Sequence, residues 1–138
     1  EYFDENKITV ENHALGGTSS RTFYNRLWPD VLKGVRKGDW VIIELGHNDN
    51  GPYDSGRARA SIPGIGKDSL NVTIKETGAK ETVYTYGEYM RRFIHDVKKK
   101  RRSSYFDVPD SSQRLGRCRQ HYYYPGKSDI WIMGEAGS

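Results

Sequence analysis

The chain has 138 residues, enough for one domain with a hydrophobic core and too few for two. Its single cysteine excludes an intramolecular disulfide and a thiolate zinc cluster, and we predict no metal and no cofactor. It has no run of about 18 apolar residues and no charged-then-apolar leader, so the sequence predicts neither a transmembrane helix nor a signal peptide.

The net charge of +4 is unevenly distributed along the chain. Residues 1–97 hold 13 Lys and Arg against 14 Asp and Glu, whereas residues 98–138 hold 9 against 4. The basic excess therefore belongs to the last part of the chain. The run Lys98 to Arg102 is typical of a solvated helix C-terminus, where positive charge is favourable. We predict no nucleic-acid partner.

The first 45 residues predict a parallel α/β unit. Residues 8–10 alternate as a short strand that leads into a turn at Gly16-Gly17. A helix should follow, with Pro29 in its first turn and Gly38 at its end. The apolar, β-branched run at residues 40–45 then predicts a strand covered on both faces. Strand, helix and buried strand in this order are typical of a parallel sheet.

The next segments predict a loop, a hairpin and a helix. Residues 50–66 are rich in Gly, Pro, Ser and Arg, which indicates a long surface loop. Residues 70–74 and 81–85 should pair across a Thr77-Gly78 turn. Thr85 and Glu88 form a capping-box pattern at the start of a helix that should pack on the sheet. The apolar residues at helical spacing are Tyr86, Tyr89, Met90, Phe93, Ile94 and Val97.

The group Gly46-His47-Asn48-Asp49 follows the buried strand, at the strand end where parallel sheets bind ligands. Glycine lets a substrate approach the backbone closely, and the Asn48 amide is a neutral donor that can stabilise an oxyanion. An ordinary Asx-rich turn is the alternative. Since the Gly16-Gly17 turn follows the preceding strand, both turns should lie at the same edge of the sheet.

Three segments, "VENHALGGTSSRTF", "GDWVIIELGHND" and "ETVYTYGEYMRRFIHDVK", together resemble the SGNH (GDSL-type) hydrolases, specifically the rhamnogalacturonan acetylesterases. The similarity covers about residues 1–100. It implies an α/β fold, a three-layer α/β/α sandwich around a flavodoxin-like parallel sheet. The first strand and the C-terminal part of that fold are expected to be missing.

The resemblance also implies site residues. Gly17 matches the oxyanion glycine through its backbone N–H, and Asn48 matches the oxyanion asparagine, while Gly46, His47 and Asp49 are expected to shape the loop. The Gly-Asp-Ser of the nucleophile and the Asp-x-x-His of the acid and base do not occur in the sequence. Three serines lack a nucleophile-elbow setting and are not expected to react. They are Ser19, Ser20 and Ser55.

Residues 101–138 have almost no helical or strand period, and the genetic code allows one test of them. If the tail is back-translated with allowed codons and read from the second base of each codon, one permitted result contains a Thr-Pro turn and an amphipathic helix. The resemblance implies these elements at this place in the fold. We predict domain boundaries of 1–100 for a partial hydrolase domain and 101–138 for a disordered or frameshifted tail. Alternatively, "HYYYPGK" is an aromatic-basic binding segment. An in-frame transcript encoding Tyr122 to Tyr124 as written would contradict the frameshift hypothesis.

The sequence therefore predicts part of a carbohydrate acetylesterase, with this chain inactive because its nucleophile and base blocks are absent. By resemblance the partner is an acetylated pectic polysaccharide, and the protein is secreted and monomeric. The sequon at Asn71 fits secretion. The alternatives are a non-catalytic carbohydrate-binding remnant that uses Trp28, Trp40 and the long loop, and a fragment without function.

Overall fold

The computed structural model describes residues 7–103 and 128–134, of which residues 101–103 and 128–134 are described as backbone. Cys118 and the "HYYYPGK" segment lie outside the described residues. The elements, in chain order, are β1 (Ile8–Asn12), α1 (Ser20–Thr22), a π-helical segment (Phe23–Leu27), α2 (Trp28–Gly34), β2 (Trp40–Glu44), β3 (Ser69–Thr73), β4 (Lys80–Tyr84), α3 (Tyr86–Ser103) and β5 (Ser128–Gly134).

The first helical region begins earlier and ends earlier than the sequence predicts. Ser19 caps it, because the Ser19 hydroxyl accepts a hydrogen bond from the Thr22 N–H and the Thr22 hydroxyl accepts one from the Ser19 N–H. Pro29 lies in the first turn of α2, as predicted. The helix ends at Gly34, because Val35 turns to an extended conformation and is fully buried. Gly38, with φ +100°, instead belongs to the turn before β2.

Strands β1 and β2 belong to one parallel sheet, in which β5 lies between them. Ile8 to Asn12 pair with residues 128–132, and Trp40 to Glu44 pair with residues 130–134. The segments that follow β1 and β2 therefore leave the sheet at the same edge. The sequence did not predict β5. The proposed frameshift concerns the transcript and stays a prediction.

Within the part of the chain that the structure describes, strand β2 is covered on one face, so the predicted burial on both faces is wrong there. Val41 and Ile43 pack against the core, whereas Trp40 and Ile42 are 61% and 48% exposed. Within residues 7–103 and 128–134, the chain is a mixed α/β structure whose helices cover one face of the sheet. The full three-layer sandwich stays a prediction.

The predicted hairpin and the helix after it are present. Strands β3 and β4 are antiparallel, and the Gly78 N–H donates to the Ile74 carbonyl across the turn. Helix α3 begins after Thr85, whose hydroxyl accepts from the Glu88 N–H at 3.1 Å. The Glu88 carboxylate instead pairs with Arg91 and Arg92 on its own helix, so the capping box is half formed.

Helix α3 joins the core through aromatic side chains and also packs against the first helical region. The Phe93 ring lies 5.0 Å from the Trp28 ring and 5.1 Å from the Tyr24 ring, both in edge-to-face geometry. The Trp28 indole and the Tyr24 hydroxyl each donate to Asp96 at 3.0 Å. Burial and the hydrogen bond to Asp96 raise the pKa of Tyr24 to about 12. Ile94, predicted to face the core, is 49% exposed.

Changing Gly87 to alanine is expected to destabilise the fold by about 1–3 kcal/mol, although alanine favours helices. A Cβ atom at Gly87 would lie 2.6 Å from the Ile65 Cα and 3.1 Å from its carbonyl carbon, so the loop backbone would have to move. Urea denaturation measures the change. Lys98→Ala, at an exposed position of the same helix, is the control and should shift stability little. A stabilised Gly87→Ala variant would contradict the packing.

Candidate functional site

The loops that follow β1 and β2 meet at the carboxyl ends of the two strands. The Asn48 side-chain amide donates to the Thr18 carbonyl at 3.1 Å, which joins the second loop to the residue after Gly17. Asn48 is half-buried and Gly17 is exposed. The structure thus brings together the two residues that the sequence assigned to an oxyanion site, at a surface that a substrate can reach.

Glycine is required at both turns by backbone conformation. Gly17 has φ +80° and Gly46 has φ +145°, values that side chains rarely allow. At Gly46 the Tyr86 ring lies 3.7 Å from where a Cβ atom would be, and the Tyr86 hydroxyl donates to the Leu45 carbonyl at 2.8 Å. The Asp49 N–H closes the turn on the Gly46 carbonyl. The geometry of this turn therefore depends on the absence of a side chain at Gly46.

Asp49 is a buried carboxylate that joins three segments. It accepts hydrogen bonds from the Ser20 N–H at 3.1 Å, from the Ser20 hydroxyl and from the Ser61 hydroxyl at 2.6 Å. The Ser61 N–H also donates to the Asp49 carbonyl. These bonds tie the loop after β2 to the start of α1 and to the end of the long loop. They hold the neighbouring Asn48 backbone in place.

The serines and the histidine near the site do not form a nucleophile and base pair. The Ser20 hydroxyl donates to Asp49, and the Ser19 hydroxyl donates to the Arg59 carbonyl at 2.6 Å. Both serines are fully buried. The His47 side chain is exposed. These contacts give Ser19 and Ser20 structural roles.

Arg21 is a structural residue that sequence reasoning missed. Its guanidinium is fully buried and forms two hydrogen bonds with the Glu81 carboxylate, at 2.8 and 2.7 Å. It also donates to the Tyr53 and Ala60 carbonyls. The hydrogen bond from Arg21 lowers the pKa of Glu81. Arginine is usually exposed, and no pattern in the sequence marked this one as buried.

A pocket of about 370 Å³ lies beside Gly17. Three arginines line it, Arg26 from the π-helical segment and Arg57 and Arg59 from the long loop. None of the described residues that line it is Asp or Glu. The sequence showed that the long loop is rich in arginine but did not predict that this loop folds back onto Gly17.

The prediction that Trp28 and Trp40 contribute to a carbohydrate-binding surface is wrong for Trp28. That side chain is 2% exposed and belongs to the core, because its ring packs on Phe93 and its indole N–H is bonded to Asp96. Trp40 is exposed, but it is the first residue of β2, whereas Asn48 follows the carboxyl end of the same strand, so the two residues lie at opposite ends of β2. The two tryptophans cannot form one binding surface.

Among residues 7–103 and 128–134, no three His, Cys, Asp or Glu side chains lie close enough to hold a metal ion. No helix in that part of the chain is both long and apolar enough to cross a membrane.

Comparison with known proteins finds similarity to an esterase. No protein-family model matches the chain. Over 88 residues, 63% of its length, the chain is 31% identical to a rhamnogalacturonan acetylesterase of Emericella nidulans. The chain is similar to a carbohydrate esterase. The match spans 35% of that esterase, so the chain covers about a third of the relative's length. This similarity agrees with the resemblance to SGNH-type esterases that the sequence motifs predict.

Proposed function

We propose that this chain carries the oxyanion-stabilising part of a carbohydrate acetylesterase site, formed by the Gly17 N–H and the Asn48 side-chain amide. The observation that carries the proposal is the hydrogen bond from Asn48 to the Thr18 carbonyl, which brings the two loops together. The similarity to a rhamnogalacturonan acetylesterase supports the reaction class and an acetylated pectic polysaccharide as substrate.

The proposed chemistry is acyl transfer from an acetyl ester. In the family that the chain resembles, a serine attacks the acetyl carbonyl and the carbonyl oxygen becomes negatively charged. Donors held in place before the reaction stabilise this charge without reorganising, and one such donor contributes about 10²- to 10³-fold in rate. Gly17 and Asn48 would supply two of them. The bonds of Asp49 to Ser20 and Ser61 would keep that geometry rigid.

For the 138-residue chain we propose little or no turnover. The sequence contains neither Gly-Asp-Ser nor Asp-x-x-His, and the Ser19 and Ser20 hydroxyls are buried in structural hydrogen bonds. Without a nucleophile and a base, only binding and electrostatic assistance are left. By the same resemblance, we propose that the protein is secreted and monomeric.

The test measures acetate release from acetylated rhamnogalacturonan by the expressed 138-residue chain and its Asn48→Ala variant, with folding checked by near-UV circular dichroism. We expect release at background from both proteins. Release that falls about 10²- to 10³-fold in Asn48→Ala would support the oxyanion assignment and contradict the inactivity. Strong release that survives the substitution would overturn both. Asn50→Ala, at an exposed neighbouring position, is the control.

Non-catalytic carbohydrate binding is the second candidate function. The arginine-lined pocket beside Gly17 favours it, because a binding site of this kind needs no nucleophile. Saturable binding of pectin fragments by the folded chain, without acetate release, would distinguish it from a fragment that has no function.

A further inference from the structure

We propose that the pocket beside Gly17 is a carboxylate-binding subsite for a uronic-acid unit of an oligosaccharide. This inference rests on the proposed function for its substrate class, and it assigns to Arg57, Arg59 and Arg26 a role that the oxyanion chemistry does not require. The subsite would hold the sugar unit next to the one whose ester lies at Gly17 and Asn48.

The charges that line the pocket are not balanced within it. Arg26, Arg57 and Arg59 contribute three guanidinium groups, and no carboxylate lines the pocket within the described part of the chain. Arg57 forms no hydrogen bond or ion pair with any described residue, and it is exposed. A guanidinium that lines a pocket matches the planar carboxylate of a uronic acid, which it can bind through two parallel hydrogen bonds.

The pocket is joined directly to the proposed oxyanion site. An Arg59 guanidinium N–H donates to the Gly17 carbonyl at 2.9 Å, and the Arg57 guanidinium lies 3.4 Å from where a Gly17 Cβ atom would be. A ligand carboxylate in the pocket would therefore lie within one sugar unit of the Gly17 N–H. The Leu15 and Leu27 side chains line the same pocket and offer apolar surface to a sugar ring.

The segment that carries the two loop arginines is held in a strained conformation. Ala58, between Arg57 and Arg59, has φ +42°, a left-handed conformation that is uncommon for a residue with a side chain. The Ala58 N–H is bonded to the Ser55 carbonyl, and the Ser19 hydroxyl is bonded to the Arg59 carbonyl. Strain of this kind persists where the surrounding structure enforces it, commonly at ligand sites. Here it places two guanidinium groups against one glycine turn.

The π-helical segment supports the same assignment. It carries Arg26 and Leu27 into the pocket, directly after the capped start at Ser19. Short π-helical segments occur frequently at functional sites, because the extra residue per turn redirects neighbouring side chains.

The experiment compares binding of trigalacturonate with binding of its fully methyl-esterified form by the 138-residue chain, using isothermal titration calorimetry at low and moderate salt. We expect the acid to bind at least about tenfold more tightly than the ester, since a hydrogen-bonded carboxylate contributes that much. This preference should shrink as salt rises. Equal affinity for the two forms, or no detectable binding of either, would overturn the proposal.

Variants show whether the named arginines carry the preference. Arg57→Gln should remove most of the preference for the acid, and it should weaken binding of the ester much less than binding of the acid. Arg59→Gln should do the same, but it also removes the bond to Gly17, so Arg57→Gln is the primary variant. Arg36→Gln replaces an exposed arginine outside the pocket and should bind like the unchanged chain. An unchanged preference in Arg57→Gln would contradict the assignment.

Two further results separate this inference from the proposed function. Acid-selective binding without acetate release supports the subsite whether or not the chain is an esterase. Acetate release that depends on Asn48, together with equal binding of acid and ester, would support the esterase and overturn the subsite. A sulfated neutral oligosaccharide that binds as tightly as the uronate would show an anion site of lower selectivity and would contradict the carboxylate assignment.

Discussion

Replacing Arg21 with alanine is expected to lower the free energy of unfolding by about 3 kcal/mol. The guanidinium is fully buried and forms hydrogen bonds with Glu81, Tyr53 and Ala60. Its removal takes two donors from the Glu81 carboxylate, which keeps the one from Asn25, and removes the arginine donors of the two carbonyls. The Glu81 side chain is 30% exposed, so water can solvate it in part, which keeps the loss near the lower end for a broken buried ion pair. Urea denaturation measures the effect.

The matched control is Arg36→Ala, which removes an exposed arginine and should change stability by less than about 0.5 kcal/mol. A loss of similar size in the two variants would show that Arg21 acts by its charge alone and not by its buried bonds. Arg21→Lys should recover little stability, because an ammonium group cannot satisfy Glu81 and the two carbonyls in the same fork geometry.

The same ion pair predicts a pH dependence. The hydrogen bond from Arg21 lowers the pKa of Glu81 below its ordinary value of 4.5 in the folded chain. The pair therefore stabilises the fold above about pH 4.5, and this contribution is lost as the pH falls through the lowered pKa. Glu81→Gln should flatten that part of the stability profile, below about pH 4.5. A profile as steep as that of the unchanged chain would show that other carboxylates control acid unfolding.

Replacing Asp49 with alanine is expected to cost about 2–3 kcal/mol of stability and to loosen the proposed oxyanion site. Its buried carboxylate accepts from the Ser20 N–H and from the hydroxyls of Ser20 and Ser61. Removing the acceptor leaves these donors buried without partners, and their desolvation is then uncompensated. Because Asp49 follows Asn48 directly, the loop that presents the Asn48 amide should become mobile.

Two measurements separate these effects. Urea denaturation gives the loss of stability, and hydrogen exchange at residues 46–50 and 59–62 reports the loosening of the loops. Asp49→Asn keeps one acceptor oxygen and should lose about half as much stability as Asp49→Ala. Asn50→Ala, at the exposed adjacent position, is the control. An Asp49→Ala variant as stable and as protected as the unchanged chain would show that the buried hydrogen bonds do not hold the site.

Local patterns in the sequence predicted most of the elements. The alternation around Val72 and Val83 predicted the hairpin, and the spacing of Tyr89 and Phe93 predicted α3, because period and turn chemistry act between neighbouring residues. The apolar run of β2 predicted the strand but not its exposure. Whether a second layer covers Trp40 depends on segments far along the chain, which a local pattern does not encode.

For the candidate site, too, some features follow from the sequence and others only from the folded structure. The sequence by itself determined which residue types follow the two strands, namely the glycines at positions 17 and 46 and the amide of Asn48, and their oxyanion role stays a prediction. Only the tertiary structure decided that Asp49 holds three segments together, that Arg21 is buried, that Trp28 belongs to the core and that the arginine loop returns to Gly17. The physical reason is sequence separation. The partners of Arg21, Asp49 and Arg59 lie 12 to 60 residues away, and these pairings exist only once the chain has folded.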